Sequence, residues 1–175
     1  TAYGMLREFF EKSQETKKSF TVPDSRGQTG YTGLLVETAA SSDVPDWKEM
    51  LNWGVTLPPG HPLRTRYPHR YGEQVLPESA VPGITEVLNG FHRKIEDVQV
   101  RFLRVIAEGL GCHESFFDEM TTNGATLTRA IRYPSMQDVP GAGAHVWAGA
   151  HGDINLITAL PRATAPGLQV LVDDA

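Results

Sequence analysis

One run of helical periodicity, from Pro82 to Leu110, constrains this chain more than any other feature. Ile84, Val87, Leu88, Phe91, Ile95, Val98, Phe102, Val105, Ile106 and Leu110 recur at spacings of three and four. That is the pattern of one core-facing side of a long helix. Pro82 suits its first turn, and Gly109 and Gly111 suit its end. A short helix is expected at 114–120. The character then changes. Residues 125–133 alternate and are rich in β-formers, with Pro134 ending the run. Val146-Trp147, Ile154 to Leu160 and Leu168 to Val172 read as further short strands. The chain is therefore helical first and β later. Strands at this spacing predict a sandwich or jelly roll with the helices packed outside it, an α+β protein.

Before the long helix, Met5, Leu6, Phe9 and Phe10 mark one face of an amphipathic helix within residues 2–20, with no cap before it. Residues 23–30 form a loop, Tyr31 to Glu37 a strand, and 41–46 a second loop. Asp46-Trp47-Lys48-Glu49 begins a short element that ends near Trp53-Gly54. Residues 56–80 hold five prolines and read as surface loop. His61, His69 and His92 lie in or near it. They share no face and have no carboxylate partner at ligand spacing, so they predict no metal site. Residues 137–143 are a Pro/Gly loop.

At 175 residues and 40% hydrophobic content, the chain suits a single domain with a real core. Residues 1–120 form a mainly helical part and 121–175 the β part. Both ends look cut. A net charge of −5 without a block of Lys or Arg argues against nucleic acid as partner. No apolar run reaches the ~18 residues of a membrane span. The first residues lack the basic and apolar regions of a signal peptide. Cys112, the sole cysteine, permits neither an internal disulfide nor a Cys-based zinc site and reads as a small core residue. A reducing, cytoplasmic setting fits this usage.

The residues with chemical content are His151 and Asp153, in His151-Gly152-Asp153. On a strand, residues i and i+2 share a face, so the imidazole and carboxylate project together. They are two thirds of a 2-His-1-carboxylate triad, the usual cradle of non-haem Fe(II). The same three letters also fit an exposed pair or a capping turn. No general-base Glu stands near His151, which disfavours a hydrolytic zinc site.

Taken in order, the segments resemble the Fe(II)- and 2-oxoglutarate-dependent dioxygenase superfamily, in its isopenicillin N synthase-like branch. The resemblance runs through Phe9-Phe10, Lys17-Lys18-Ser19-Phe20, Gly30-Tyr31 and Asp46-Trp47-Lys48-Glu49. It continues with Pro82, Gly109-Leu110-Gly111, Phe116-Phe117 and Ile131-Arg132-Tyr133-Pro134. It ends with His151-Gly152-Asp153, Leu156-Ile157-Thr158 and Gly167-Leu168-Gln169-Val170. It implies a double-stranded β-helix (jelly-roll) core, of which 121–175 would be the first part. It also implies Fe(II) held by His151 and Asp153, O2, and 2-oxoglutarate as co-substrate. Tyr133 matches a Tyr that touches substrate or co-substrate. The third iron ligand and the Arg that binds the co-substrate are expected beyond Ala175. The implied activity is oxidation of a small molecule, as in natural-product biosynthesis, by hydroxylation, desaturation or ring closure. Two departures matter. Ile131 stands where plant-type members often have Asn, as in isopenicillin N synthase itself. Gln28 stands where that synthase has its tripeptide-binding Arg. An oxidase that uses O2 without 2-oxoglutarate, and a metal-free jelly-roll binding domain, are the alternatives.

Overall fold

The computed structural model describes residues 1–39, 43–139 and 145–172. Its centre is a three-stranded antiparallel sheet of order β1-β2-β3 (Gly30–Thr32, Glu49–Gly54 and Leu127–Arg132). β2 is the middle strand and every one of its residues is buried. Tyr31 sits opposite Leu51, and Leu51 opposite Ala130. The sheet thus takes two of its three strands from the part expected to be mainly helical.

Against one face of the sheet lie helices α1 (Ala2–Phe10) and α4 (Ile84–Gly109). Phe9, Phe10, Tyr31, Leu51, Trp53, Val81, Ile84 and Leu88 form the core between them. The Trp53 indole N–H donates to the carbonyl of Leu88 at 3.2 Å, tying β2 to α4. Three short helices complete the described elements: α2 (Gln14–Lys18), α3 (Pro62–Arg66) and α5 (Asp118–Thr121). No helix among the described residues is long and apolar enough to cross a membrane.

Local chemistry explains where elements begin and stop. The expected 2–20 helix is two helices, because the Ser13 hydroxyl accepts the Thr16 N–H at 3.1 Å and starts α2 afresh. Thr1 itself caps α1, accepting from the Gly4 N–H at 3.3 Å, so the expectation of an uncapped start is corrected. β1 is much shorter than 31–37, because Leu35 has φ +61° and breaks the extended run. Gly30 has φ +79°, and a Cβ there would collide with the Phe20 carbonyl, which accepts the Tyr31 N–H at 2.9 Å. α4 begins with Gly83 in a left-handed conformation and no cap of its own. The Glu78 carboxylate substitutes, accepting the N–H groups of Gly83 at 2.5 Å and Thr85 at 3.0 Å.

The apolar stripe of α4 is only half buried, which corrects the expectation. Ile84 and Leu88 are fully covered, whereas Val98, Phe102, Val105, Ile106 and Leu110 are exposed. Leu103 and Ala107 are buried in their place. The helix is covered along its 26 residues, but near its end the covered side is the one that carries Leu103 and Ala107 and not the one that carries Phe102 and Val105. Cys112 lies past the helix end and is partly exposed rather than in the core.

The strands expected at 146–147, 154–160 and 168–172 do not form; no strand follows Arg132 among the described residues. Ile154, Leu156, Leu160, Leu168, Val170 and Val172 are exposed. An extended segment becomes a strand only when a neighbour takes its backbone hydrogen bonds, and no described segment pairs with these. Residues 41–42 and 140–143 of the expected loops lie outside the described residues.

Glu49 is wholly buried at the start of β2. It accepts from Lys17 Nζ at 2.7 Å, Tyr31 Oη at 2.5 Å and Arg132 Nη1 at 2.5 Å. Burial alone would raise its pKa, but the hydrogen bonds from Lys17, Tyr31 and Arg132 outweigh burial and hold the carboxyl below the usual range. Burial, and next the bond to Glu49, push the Tyr31 phenol far up. The unfolded chain therefore takes up the Glu49 proton first. Glu49's stabilisation is complete above about pH 4.3 and is lost as the pH falls from there through its lower folded value. Tyr31 contributes the mirror image, with stability lost as the pH rises above about 10. Urea denaturation across pH should show both losses. Glu49→Ala, which strands the buried Lys17 ammonium, is expected to cost about 3–5 kcal/mol at neutral pH.

Candidate metal centre

After β3 the chain turns at Tyr133-Pro134, passes a 3-10 turn (Met136–Asp138), and returns at 145–150 to the entrance of β2. The return is pinned by polar bonds rather than by a strand. The Trp47 N–H donates to the Val146 carbonyl at 2.8 Å, and His145 Nδ1 lies 2.9 Å from the Pro45 carbonyl. The Trp47 indole donates to Ser135 O at 3.1 Å, and the Trp147 indole to Pro134 O at 2.8 Å.

Asp46 is buried at the meeting point. Its Oδ1 accepts the Gly149 N–H at 3.0 Å and its Oδ2 takes Lys48 Nζ at 2.8 Å. Lys48 continues to Glu37 Oε2 at 3.3 Å, and Glu37 Oε1 to Arg129 Nη1 of β3 at 3.3 Å. Burial alone would lower the Lys48 pKa, yet its bonds to Asp46 and Glu37 leave it raised.

His151 and Asp153 follow directly. Their backbone is not in a strand, yet Nε2 of the ring and Oδ1 of the carboxylate stand 3.8 Å apart. Both side chains are more than half exposed. His151 Nδ1 lies 2.8 Å from the Gly149 carbonyl. A carbonyl only accepts, so Nδ1 carries a proton in this arrangement, and in the neutral ring Nε2 then presents a lone pair to the carboxylate. In that form a cation between Nε2 and Oδ1, a proton or a metal ion, relieves the repulsion of two lone-pair donors. At 3.8 Å the two atoms stand wider apart than the about 3 Å between neighbouring ligands of an octahedral ion with bonds of about 2.1 Å. The pair supplies the donor types for a divalent metal as part of an incomplete set, and a small approach of the two side chains would bring both into reach of one ion. Among the described residues, no group of three His, Cys, Asp or Glu is placed to hold a metal.

Tyr133 is half-exposed, with its ring 6.4 Å from that of Trp147. Partial burial raises its pKa; the Lys48 charge opposes and the Asp46 charge assists. The other histidines separate. His61 Nδ1 accepts the Leu63 N–H and caps α3. His92, grouped above with the 56–80 histidines, lies on α4 within the helix expected over 82–110 and is buried, with Nδ1 2.7 Å from Thr128 Oγ1 of β3. Its Nε2 lies 3.4 Å from Glu96 Oε1 without hydrogen-bond alignment. A surface hollow of about 490 Å³ is lined by Tyr3, Arg7, Arg162, Ala163 and Thr164, and by neither His151 nor Asp153. The sequence reasoning assigned Asp46 no role. Its presence in Asp46-Trp47-Lys48-Glu49 was the available signal.

The chain is similar to known proteins. Residues 1–79 match the family model described as non-haem dioxygenase in morphine synthesis N-terminal. A 2-oxoglutarate-dependent dioxygenase of Gibberella zeae is 33% identical over 166 residues, covering 91% of this chain and 42% of the relative. An isopenicillin N synthase of Flavobacterium sp. is 32% identical over 100 residues, covering 53% of this chain and 31% of the synthase. The solved structure of a 2OG-Fe(II) oxygenase family protein from Caulobacter crescentus superposes with a TM-score of 0.65 at 28% identity. It covers 76% of this chain and 42% of that one. The chain thus spans less than half the length of each of these proteins.

The burial of Tyr133 carries a test. Its phenol is expected to ionise only above the ordinary value of about 10. This is read as the difference in alkaline absorbance titration between the wild type and Tyr133→Phe. Trp147→Ala, which uncovers the ring, should bring the titration back toward the ordinary value.

Proposed function

The chain belongs to the Fe(II)- and 2-oxoglutarate-dependent dioxygenase superfamily, and on that premise we propose that it forms part of a non-haem Fe(II) oxygenase acting on a small molecule. The observation that carries the reading is the His151–Asp153 pair, with donor atoms 3.8 Å apart and Nδ1 already engaged. His151 and Asp153 would hold the iron. When bound, Fe(II) supplies the redox centre at which O2 and 2-oxoglutarate yield succinate, CO2 and an oxidised substrate.

The chain's own residues do the positioning. Asp46 and Trp47 hold the 145–150 return against the entrance of β2, directly before His151. Tyr133, at the end of β3, is the proposed contact for substrate or co-substrate. Residues 121–175 are proposed as the first part of the jelly-roll core, with 1–120 as the mainly helical part outside it. Single-cysteine usage fits a reducing, cytoplasmic location.

A second reading is an oxidase of the isopenicillin N synthase kind, using O2 without a 2-oxo acid. The identity with that synthase and the Ile131-Arg132-Tyr133-Pro134 stretch favour it. Succinate release that requires both Fe(II) and 2-oxoglutarate supports the first reading, and turnover indifferent to 2-oxoglutarate supports the second. The expected binding result is Fe(II) or Co(II) uptake that is lost in His151→Ala and in Asp153→Ala. No metal uptake by the full-length protein, which would carry the third ligand, would overturn both readings and leave a metal-free binding domain.

A further inference from the structure

The polar chain that ends at His151 begins on the sheet. Gly149 is held from two sides. Its N–H donates to Asp46 Oδ1 at 3.0 Å, and its carbonyl faces His151 Nδ1 at 2.8 Å. Asp46 is only 3% exposed and is braced by Lys48, which Glu37 links to Arg129 of β3. The seat of Gly149 admits no side chain, since a Cβ would stand 2.8 Å from the Ala39 Cβ and 3.7 Å from Asp46 Oδ1. The Gly149 carbonyl is therefore set by a buried anchor, although His151 itself is largely exposed.

That carbonyl decides which ring nitrogen is free. A neutral imidazole has two tautomers, and the partner of one nitrogen selects the state of the other. With the proton held on Nδ1, Nε2 keeps its lone pair toward Asp153 Oδ1. Released, the ring samples both tautomers, and the one protonated on Nε2 cannot bind a metal there.

We propose that Asp46 is a positioning residue for His151: by fixing Gly149, it holds the carbonyl that keeps Nε2 open to a divalent metal. The metal part rests on the Fe(II) reading above; the tautomer part does not. A purely structural Asp46, acting only as the ion-pair partner of Lys48, makes a different prediction, because Asp46→Asn keeps the acceptor for Gly149 and loses the charge.

The test uses the full-length protein, with the segment that follows this chain, and two readouts. Imidazole ¹⁵N shifts, recorded about two units above the ordinary His pKa of about 6.5, report the tautomer. Visible absorbance on titration with Co(II) reports metal affinity. Wild type and Asp46→Asn are expected to show the Nδ1–H form and equal Co(II) affinity. Asp46→Ala and Gly149→Ala are expected to shift toward Nε2–H and to bind Co(II) about ten-fold more weakly. Gly149→Ala leaves the Asp46–Lys48 pair in place and decides the matter if Asp46→Ala fails to fold. Wild-type tautomer and affinity in the alanine variants would overturn the proposal, as would Asp46→Asn behaving like Asp46→Ala. Failure of the wild type to bind Co(II), with the tautomer pattern intact, overturns the Fe(II) reading and leaves the positioning role standing.

Discussion

The buried carboxylate of Glu49 is the constraint on which the rest of this structure depends. A charge taken fully out of water costs several kcal/mol unless its lone pairs are met. Here three donors meet them, each from a different element: Lys17 of α2, Tyr31 of β1 and Arg132 of β3. Buried ion pairs seldom add much net stability over an apolar substitute. Their stronger effect here is on register. Shifting β2 by one residue would turn Glu49 to the other face and leave Lys17 buried without its partner. The cluster thus admits one alignment of the three strands.

That alignment reaches the candidate metal centre. Asp46 lies three residues before Glu49 in the same stretch, so the register that satisfies Glu49 also sets where Asp46 enters the fold. Asp46 in turn holds Gly149, and Gly149 orients His151. The centre is assembled from the sheet outward, and the exposed His151–Asp153 pair inherits its geometry from a buried anchor. A binding site on a rigid scaffold but itself outside regular structure is a common arrangement.

Legibility followed the range of the physics. The period of α4 located the helix to within a few residues, since side chains at three and four need no partner to declare a face. It did not reveal where the cover ended. Phe102 and Val105 look as core-like as Ile84 in sequence, yet they are exposed while their neighbours Leu103 and Ala107 are buried. The strand at 127–132 was legible from alternation and from Pro134. The strands expected around His151 and beyond Pro166 were not realised, because alternation describes a surface and only a paired neighbour supplies the hydrogen bonds. The burial of His92 was not legible, because its partner, Thr128, lies far along the chain.

By itself the sequence determined the local matters. These were the long amphipathic helix, the alternating strand at 127–132, and the adjacency of an imidazole and a carboxylate at positions 151 and 153. Each is decided by torsions and contacts within a few residues. Only the tertiary structure decided that Lys17 meets Glu49, which side of α4 stays covered at its end, and that Asp46 reaches Gly149 and through it the ring of His151. Those outcomes are set by burial. A charge removed from water must find its counter-charge and its hydrogen bonds wherever the packed chain brings them, and sequence separation says nothing of that distance.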